Sequence, residues 1–184
     1  MIKGKRITLR AWEKSDLEPF TRWFNDPDVT VYLGNAYPCL SSRQEEKYIE
    51  ENLDRPYLYA ITLNESGKLI GNCDLHEIDK TNRSAEVGIV IGEKEYWSQG
   101  YGREALGMLL EIGFEGLGLN RVGLWLVDMN QRGYRCYLAA GFIEEGRLRR
   151  RAFIKGEFHD EIAMSVMADE YWSNRKKPTS EAAR

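Results

Sequence analysis

Apolar and polar positions alternate with period two over residues 5–10 (KRITLR), the spacing of a half-buried strand. The pattern then lengthens. Ser15-Asp16-Leu17-Glu18 reads as a capping box, with Pro19 in the tolerant first turn, and opens a helix through Phe24 that Asn25-Asp26-Pro27-Asp28 ends as a turn. Ser42-x-x-Glu45 opens a second helix toward Asn52. Period two returns at 57–63 and 68–75 around a hairpin turn at 64–67, and again at 85–91. Residues 102–117 carry a broad apolar stripe (Leu106, Leu109, Leu110, Phe114, Leu117) that Gly118 terminates. A buried-type strand follows at 121–127, then a short helix at 131–140 ended by Gly141. Two strands, 148–154 and 157–167, flank the turn at Lys155-Gly156.

This order predicts a mixed α/β (α+β) fold with one central sheet, in a single domain over residues 1–173 with a polar tail at 174–184. With 42% hydrophobic and 30% charged residues the composition is that of a globular chain able to bury a core. A net charge of −3 gives no general attraction to nucleic acid or anionic membrane. Cys39, Cys73 and Cys136 form no CxxC pair and read as reduced, mostly buried thiols. The N-terminal segment starts as a strand rather than a leader, and no apolar run reaches membrane-spanning length, so a cytoplasmic protein is expected.

The stretch YWSQGYGREAL (96–106) carries the first chemistry. Two glycines at i and i+2 open an apolar helix, so successive backbone N–H groups and the helix start form a site for a phosphate or diphosphate. Gly100-x-Gly102-x-x-Ala105 also satisfies a loose dinucleotide fingerprint, with Asp128 as the ribose acid. The context argues against that reading. GEKEYWSQ separates Ile91 from Gly100, where a dinucleotide turn joins strand and helix directly, and about eighty residues of patterned chain precede the motif.

Four stretches, LEPFTRWFNDPDVTVYL, AEVGIVIGEKEYWSQGYGREAL, FEGLGLNRVGLWLVDMNQRGYRCYLAAGFIEEG and KGEFHDEIAMSV, resemble in order and spacing the GNAT superfamily of acetyl-CoA-dependent N-acetyltransferases. Within it they are similar to the branch of Rim-type acetyltransferases that act on ribosomal-protein N-termini. The resemblance implies a mostly antiparallel, splayed central sheet flanked by helices. Two positions depart from the pattern: Trp97 stands where Gln or Arg is usual, and Gly133 where Ala or Ser is usual, at a helix-interior cost of about 1 kcal/mol.

On that resemblance, backbone N–H groups of Ser98, Gln99, Gly100, Tyr101, Gly102 and Arg103 would wrap the diphosphate of acetyl-CoA. Backbone of Ile89, Val90 and Ile91 would pair with the pantetheine arm, one N–H polarising the thioester carbonyl. In N-x-x-G-x-x-x-Y-x-x-x-G-F, Tyr137 would be the general acid that protonates the departing thiolate, and Asn130 would hold the pantetheine end. Pattern alone favours Tyr137 as a core tyrosine, which the resemblance reverses, and Asn130 can cap the helix in either case. Glu86, on the face of Gly88 and Val90, could accept the ammonium proton or could be a salt-bridged glutamate. Asp26, Trp23 and Asp160 lie in segments that border the acceptor pocket in this branch, although turn chemistry also accounts for Asp26.

His76 and His159 lack partners at ligand spacing, so no metal is expected. Arg147, Arg149, Arg150 and Arg151 with Lys155 could meet a coenzyme phosphate or an acidic partner, or simply form a solvated strand face. No nucleophilic triad and no covalent acyl-enzyme is indicated. The expected reaction is direct acetyl transfer from acetyl-CoA to a primary amine, above all a protein N-terminal α-amine. A polyamine such as spermidine is the alternative acceptor, and a non-catalytic acyl-CoA sensor the alternative class. The partners expected are the amine acceptor and, in a homodimer, a second copy.

Overall fold

The computed structural model of the protein describes residues 1–33 and 40–176, so Cys39 lies outside the described residues. Its elements are β1 (Ile2–Lys3), β2 (Ile7–Arg10), α1 (Leu17–Phe24), α2 (Pro27–Thr30), α3 (Ser42–Asn52), β3 (Leu58–Leu63), β4 (Leu69–Asp79), β5 (Ser84–Ile91), α4 (Tyr101–Glu111), β6 (Arg121–Val127), α5 (Gln131–Ala140), β7 (Ile143–Ile154), β8 (Glu157–Met167) and α6 (Ala168–Lys176). The strands form one sheet in the order β1-β2-β3-β4-β5-β6-β8-β7. Every neighbouring pair is antiparallel except β5 with β6.

That parallel pair is short. It runs only from Ser84↔Arg121 to Glu86↔Gly123, after which the two strands part and leave a wedge in the middle of the sheet. Each sheet face has its own core. Ala105, Leu106, Leu109 and Leu110 of α4 pack with Leu9, Leu75, Val87 and Val122 on one face. Trp12, Phe20, Trp23 and Ile49 cover Leu58 and Ala60 on the other. Leu106 is fully buried, so truncation to Ala costs about 2–5 kcal/mol.

Tertiary contacts reset the predicted helix starts. Asp16, buried, accepts from the Glu13 N–H (2.9 Å) and pairs with Arg10 of β2 at 2.6 and 2.8 Å, so the box is Glu13/Asp16 rather than Ser15/Glu18. For α3 the box is Ser41/Gln44, one residue early, because Glu45 faces inward and is buried. The turn at Asn25–Asp28 is also a helix start: Asp26 accepts from the Asp28 N–H (2.9 Å) and Pro27 is the first residue of α2. α4 ends in a π turn (Ile112–Gly116) before Gly118, where Leu117 N–H reaches back to Ile112 C=O. β4 and β7 are longer than expected because each side pairs along most of its partner. α6 was not foreseen, and it takes in the first residues of the expected polar tail. Among the described residues no helix is long and apolar enough to cross a membrane.

Candidate active site

The main-chain groups that face the wedge follow from register. Gly92 N–H donates to Ile70 C=O at 2.9 Å, which makes Asn72↔Val90 and Asp74↔Gly88 the hydrogen-bonded pairs of β4 with β5. The N–H and C=O of Val87, Ile89 and Ile91 therefore point the other way, toward β6. Val90 differs from expectation: its main chain is committed to Asn72, and what it offers the wedge is a side chain. The Ile91 carbonyl is also taken, by the Trp97 indole N–H at 2.6 Å. Ile89 keeps both groups free where β6 has already turned away.

The glycine loop stands over the open end of the wedge. Ser98 and Gly100 are both left-handed (φ 59° and 84°), which turns the chain sharply before α4. From below, Arg6 donates to the Gln99 carbonyl (3.0 Å), pairs with Glu104 (2.9 Å) and lies over the Tyr101 ring (4.4 Å). The Gln99 carbonyl is thus held downward. Among the described residues no protein acceptor meets the N–H groups of residues 98–103. A row of unpaired amides at a helix start suits a diphosphate.

A cavity of about 660 Å³ runs through the wedge. It is lined by Ile89, Val90, Ile91, Ser98, Gly100, Tyr101, Gly102, Arg103, Asn130 and Tyr137, so every residue expected to hold the cofactor or carry the catalysis borders it except Gln99 and Glu86. Gln99 turns away, its side chain donating to the Glu95 carbonyl. Arg132 and Arg135 also line the cavity, and nothing in the sequence pattern marked them. The Arg132 guanidinium stacks on Trp97 at 3.6 Å and lies over Tyr32 at 5.3 Å. It bridges α5, the glycine loop and the segment after α2.

Asn130 caps α5, its Oδ1 accepting from the Gly133 N–H at 2.9 Å. Gly102 lies opposite Cys136, the two helices meeting with room for a methyl group (3.5 Å to Sγ). Tyr137 packs edge-on to Phe142 (5.8 Å), and its hydroxyl has no hydrogen-bond partner among the described residues. Burial pushes that phenol well above its ordinary range, so it is a neutral donor. Burial likewise pushes up the thiols of Cys73 and Cys136, which leaves neither as a thiolate nucleophile.

On the far face of the wedge, the side chains of Asp74, His76 and Glu86 share one side of the β4–β5 ladder, with Gly88 opposite Asp74. Gly88 lines the cavity, and the Asp74 carboxylate packs over it where a Cβ would stand; Asp74, His76 and Glu86 are not among the residues that line the cavity. Asp74 Oδ2 pairs with Arg55 (2.8 Å) and lies 3.4 Å from His76 Nδ1. Glu86 accepts from the Trp125 indole at 3.3 Å and stands 3.7 Å from His76 Nε2. His76 is thus flanked by two carboxylates, and His159 pairs with Asp128 at 3.0 Å; neither is as isolated as its sequence neighbours suggested. Among the described residues no group of three or more metal-ligating side chains converges.

Asp26, Trp23 and Asp160 do not line the cavity. Asp26 caps α2 and pairs with Lys94 (2.8 Å). Trp23 packs on Gly92, where a Cβ would overlap its ring, and donates to Glu93 (3.1 Å). Asp160 accepts from the Arg150 N–H (2.8 Å). The arginine cluster lies along β7 at the sheet edge, with Arg147 on Glu144 (2.7 Å) and Arg151 near Glu161 (3.6 Å).

Residues 6–143 match the family model described as "Acetyltransferase (GNAT) domain". The spermidine N(1)-acetyltransferase of Vibrio cholerae is 29% identical over 171 residues, covering 91% of this chain and 96% of that protein. The putative ribosomal N-acetyltransferase YdaF of Bacillus subtilis is 34% identical over 110 residues, 60% of this chain and 59% of that protein. Among solved structures, spermidine N-acetyltransferase from Vibrio cholerae in complex with CoA and spermine superposes with a TM-score of 0.82 at 27% identity, covering 92% of this chain and 99% of that one. A splayed sheet, an unpaired amide loop over its opening and a family match across both place the chain in the GNAT family of acetyl-CoA-dependent N-acetyltransferases.

Proposed function

We propose that the acceptor is a small polycationic amine of the polyamine class. The observation that carries this is a pair of carboxylates beside the cavity: Asp74 packs against Gly88, which lines the wall, and Glu86 lies on the same side of the β4–β5 ladder. An alkylammonium would find a carboxylate there, and the wedge would bring the thioester to the same place. The Vibrio cholerae relative, matched over nearly its whole length, is a spermidine acetyltransferase, and its crystal structure holds spermine. The protein N-terminus that the Rim-type resemblance favoured has thinner support, since the ribosomal relative matches over 60% of this chain.

In this reading the amides of residues 98–103 hold the diphosphate, with Arg103, Arg132 and Arg135 adding positive charge along the cavity. Ile89 offers the free main-chain groups for the pantetheine arm, and its N–H is the donor aimed into the wedge to polarise the thioester carbonyl. Asn130 keeps its Nδ2 free for the same arm while its Oδ1 caps α5. The amine attacks directly in a ternary complex, and Tyr137 gives its proton to the departing sulfur.

Release of free thiol from acetyl-CoA, measured against spermidine, spermine, small diamines and a peptide with a free N-terminus, tests the acceptor. Turnover on the polyamines at micromolar to millimolar KM, with none on the peptide, is expected. The reverse preference would return the reading to a protein N-terminus.

A further inference from the structure

We propose that His76 is the proton acceptor of the amine site. It takes the proton that an alkylammonium must lose before attack and hands it to solvent beside Glu86. This rests on the amine-transfer reading above and adds a residue to it.

The need is quantitative. A primary ammonium titrates near ~10.4, as a lysine does, so at neutral pH only about one molecule in a few thousand carries a free lone pair. The charged and titratable groups around Gly88 and Asp74 come from several elements: Asp74 and His76 on β4, Glu86 on β5, Arg55 before β3, which pairs with Asp74, and Tyr48 on α3, within range of the Asp74 charge. Arg55 has no basic atom to offer, and it holds Asp74 at 2.8 Å as an anchoring anion. Burial raises the Tyr48 phenol, so it stays protonated. Glu86 already accepts the Trp125 indole N–H.

His76 is different. Its Nδ1 is buried with no hydrogen-bond partner among the described residues, and its Nε2 lies 3.7 Å from Glu86. Both carboxylate distances, 3.4 and 3.7 Å, are too long for a good ring N–H bond. Here an imidazolium would sit between two carboxylate oxygens, and the ring edge faces Gly88 of the cavity wall: a Cβ there would be 3.7 Å from His76 Cε1.

The step balances without any further reagent. The ammonium gives one proton to His76, and the nitrogen lone pair forms the C–N bond at the thioester carbonyl carbon. The C–S bond breaks with its electron pair going to sulfur, which takes the Tyr137 hydroxyl proton. The second proton leaving nitrogen restores Tyr137, and His76 returns the first to water. One ammonium and one thioester become one amide, one thiol and one proton.

The test uses the full chain with His76→Gln and His76→Ala, reading kcat against pH with the best amine of the panel, and acetyl-CoA affinity by calorimetry. His76 can accept the proton only while its ring is neutral, so wild-type kcat should fall on the acid side. His76→Gln should lower kcat about 10²-fold, flatten the acid limb and leave acetyl-CoA affinity unaltered. Added imidazole should restore part of the His76→Ala rate. Variants with wild-type kcat and profile would overturn the inference alone, as would variants whose rate falls only in step with acetyl-CoA affinity. A wild-type protein inert on every amine would overturn the amine-transfer reading, and this inference with it.

Discussion

Gly133 makes room for the Asn130 amide: a Cβ at residue 133 would stand 2.6 Å from Asn130 Nδ2 and 2.9 Å from Oδ1. The glycine that looked like a weak spot in α5 is the space that lets its cap lie over the helix start. Two effects of similar size oppose each other in Gly133→Ala. Alanine gains about 1 kcal/mol of helix propensity, and displacing the cap loses about 1 kcal/mol. Thermal melting should therefore barely move. Acetyl-CoA affinity should fall several-fold, because the displaced amide also borders the cavity. Calorimetry on Gly133→Ala beside Asn130→Ala checks this; full affinity in the first with a loss in the second would show that the amide had found another pose.

Tyr137→Phe isolates the acid. The ring can keep its edge contact with Phe142, and the hydroxyl has no protein partner to lose. Stability and acetyl-CoA binding should be preserved, while kcat falls about 10²–10⁴-fold. An alkaline arm of the wild-type profile should not appear until well above the ordinary phenol range, because burial holds the proton on. Unchanged turnover in Tyr137→Phe would remove Tyr137 from the mechanism.

At Gly102 the physics separates stability from binding. A methyl there meets Cys136 Sγ at an ordinary 3.5 Å, so Gly102→Ala should fold and bind nearly as well. Gly102→Asp puts a carboxylate in the first turn of α4, which the helix dipole favours by roughly 0.3–1 kcal/mol. The same charge beside a bound diphosphate is repelled by about 4 kcal/mol at ~4 Å and an effective dielectric of ~20. Melting temperature should hold or rise while acetyl-CoA affinity drops at least about 100-fold. Equal affinity by calorimetry would refute the diphosphate assignment of the loop.

The half of the site built on the glycine loop was legible in the sequence because it is local. Two left-handed residues, a helix start and a preceding strand lie within a few positions of one another, and spacing alone exposes them. The acceptor half was not, because β4–β5 register assembles it. Asp74↔Gly88 and His76↔Glu86 are cross-strand partners, and the hairpin reading stopped at residue 75, one position short of His76. Extending that strand through the turn at 79–84 would have paired them. The Arg132–Trp97 stack joins α5 to a loop far away in the chain, and only helix packing on the finished sheet brings them together. Helix starts slipped for the same reason: Asp16 follows Arg10 and Glu45 follows the core rather than the local box.

The tie between Asp26 and Lys94 predicts a pH dependence with a definite sign. The hydrogen bond from Lys94, together with the Asp28 N–H, holds the Asp26 carboxyl below its ordinary value of 3.8. A carboxyl whose folded value is depressed stabilises the fold above the unfolded value and loses that contribution as pH falls through the folded one. Asp26→Asn keeps the shape of the α2 cap and removes the charge. Its melting temperature should lie below wild type at pH 7, and the gap should narrow as pH drops beneath about 4. Lys94 also pairs with Asp28 (2.8 Å), so Asp28→Asn alone should show a smaller gap. That pair is exposed on the Asp28 side, where ion pairs are worth ~1 kcal/mol or less. A gap that stayed constant from pH 7 to pH 3 would mean that the hydrogen bond the Asp26 side chain accepts from the Asp28 N–H, and not the Asp26 charge, secures the turn between α1 and α2.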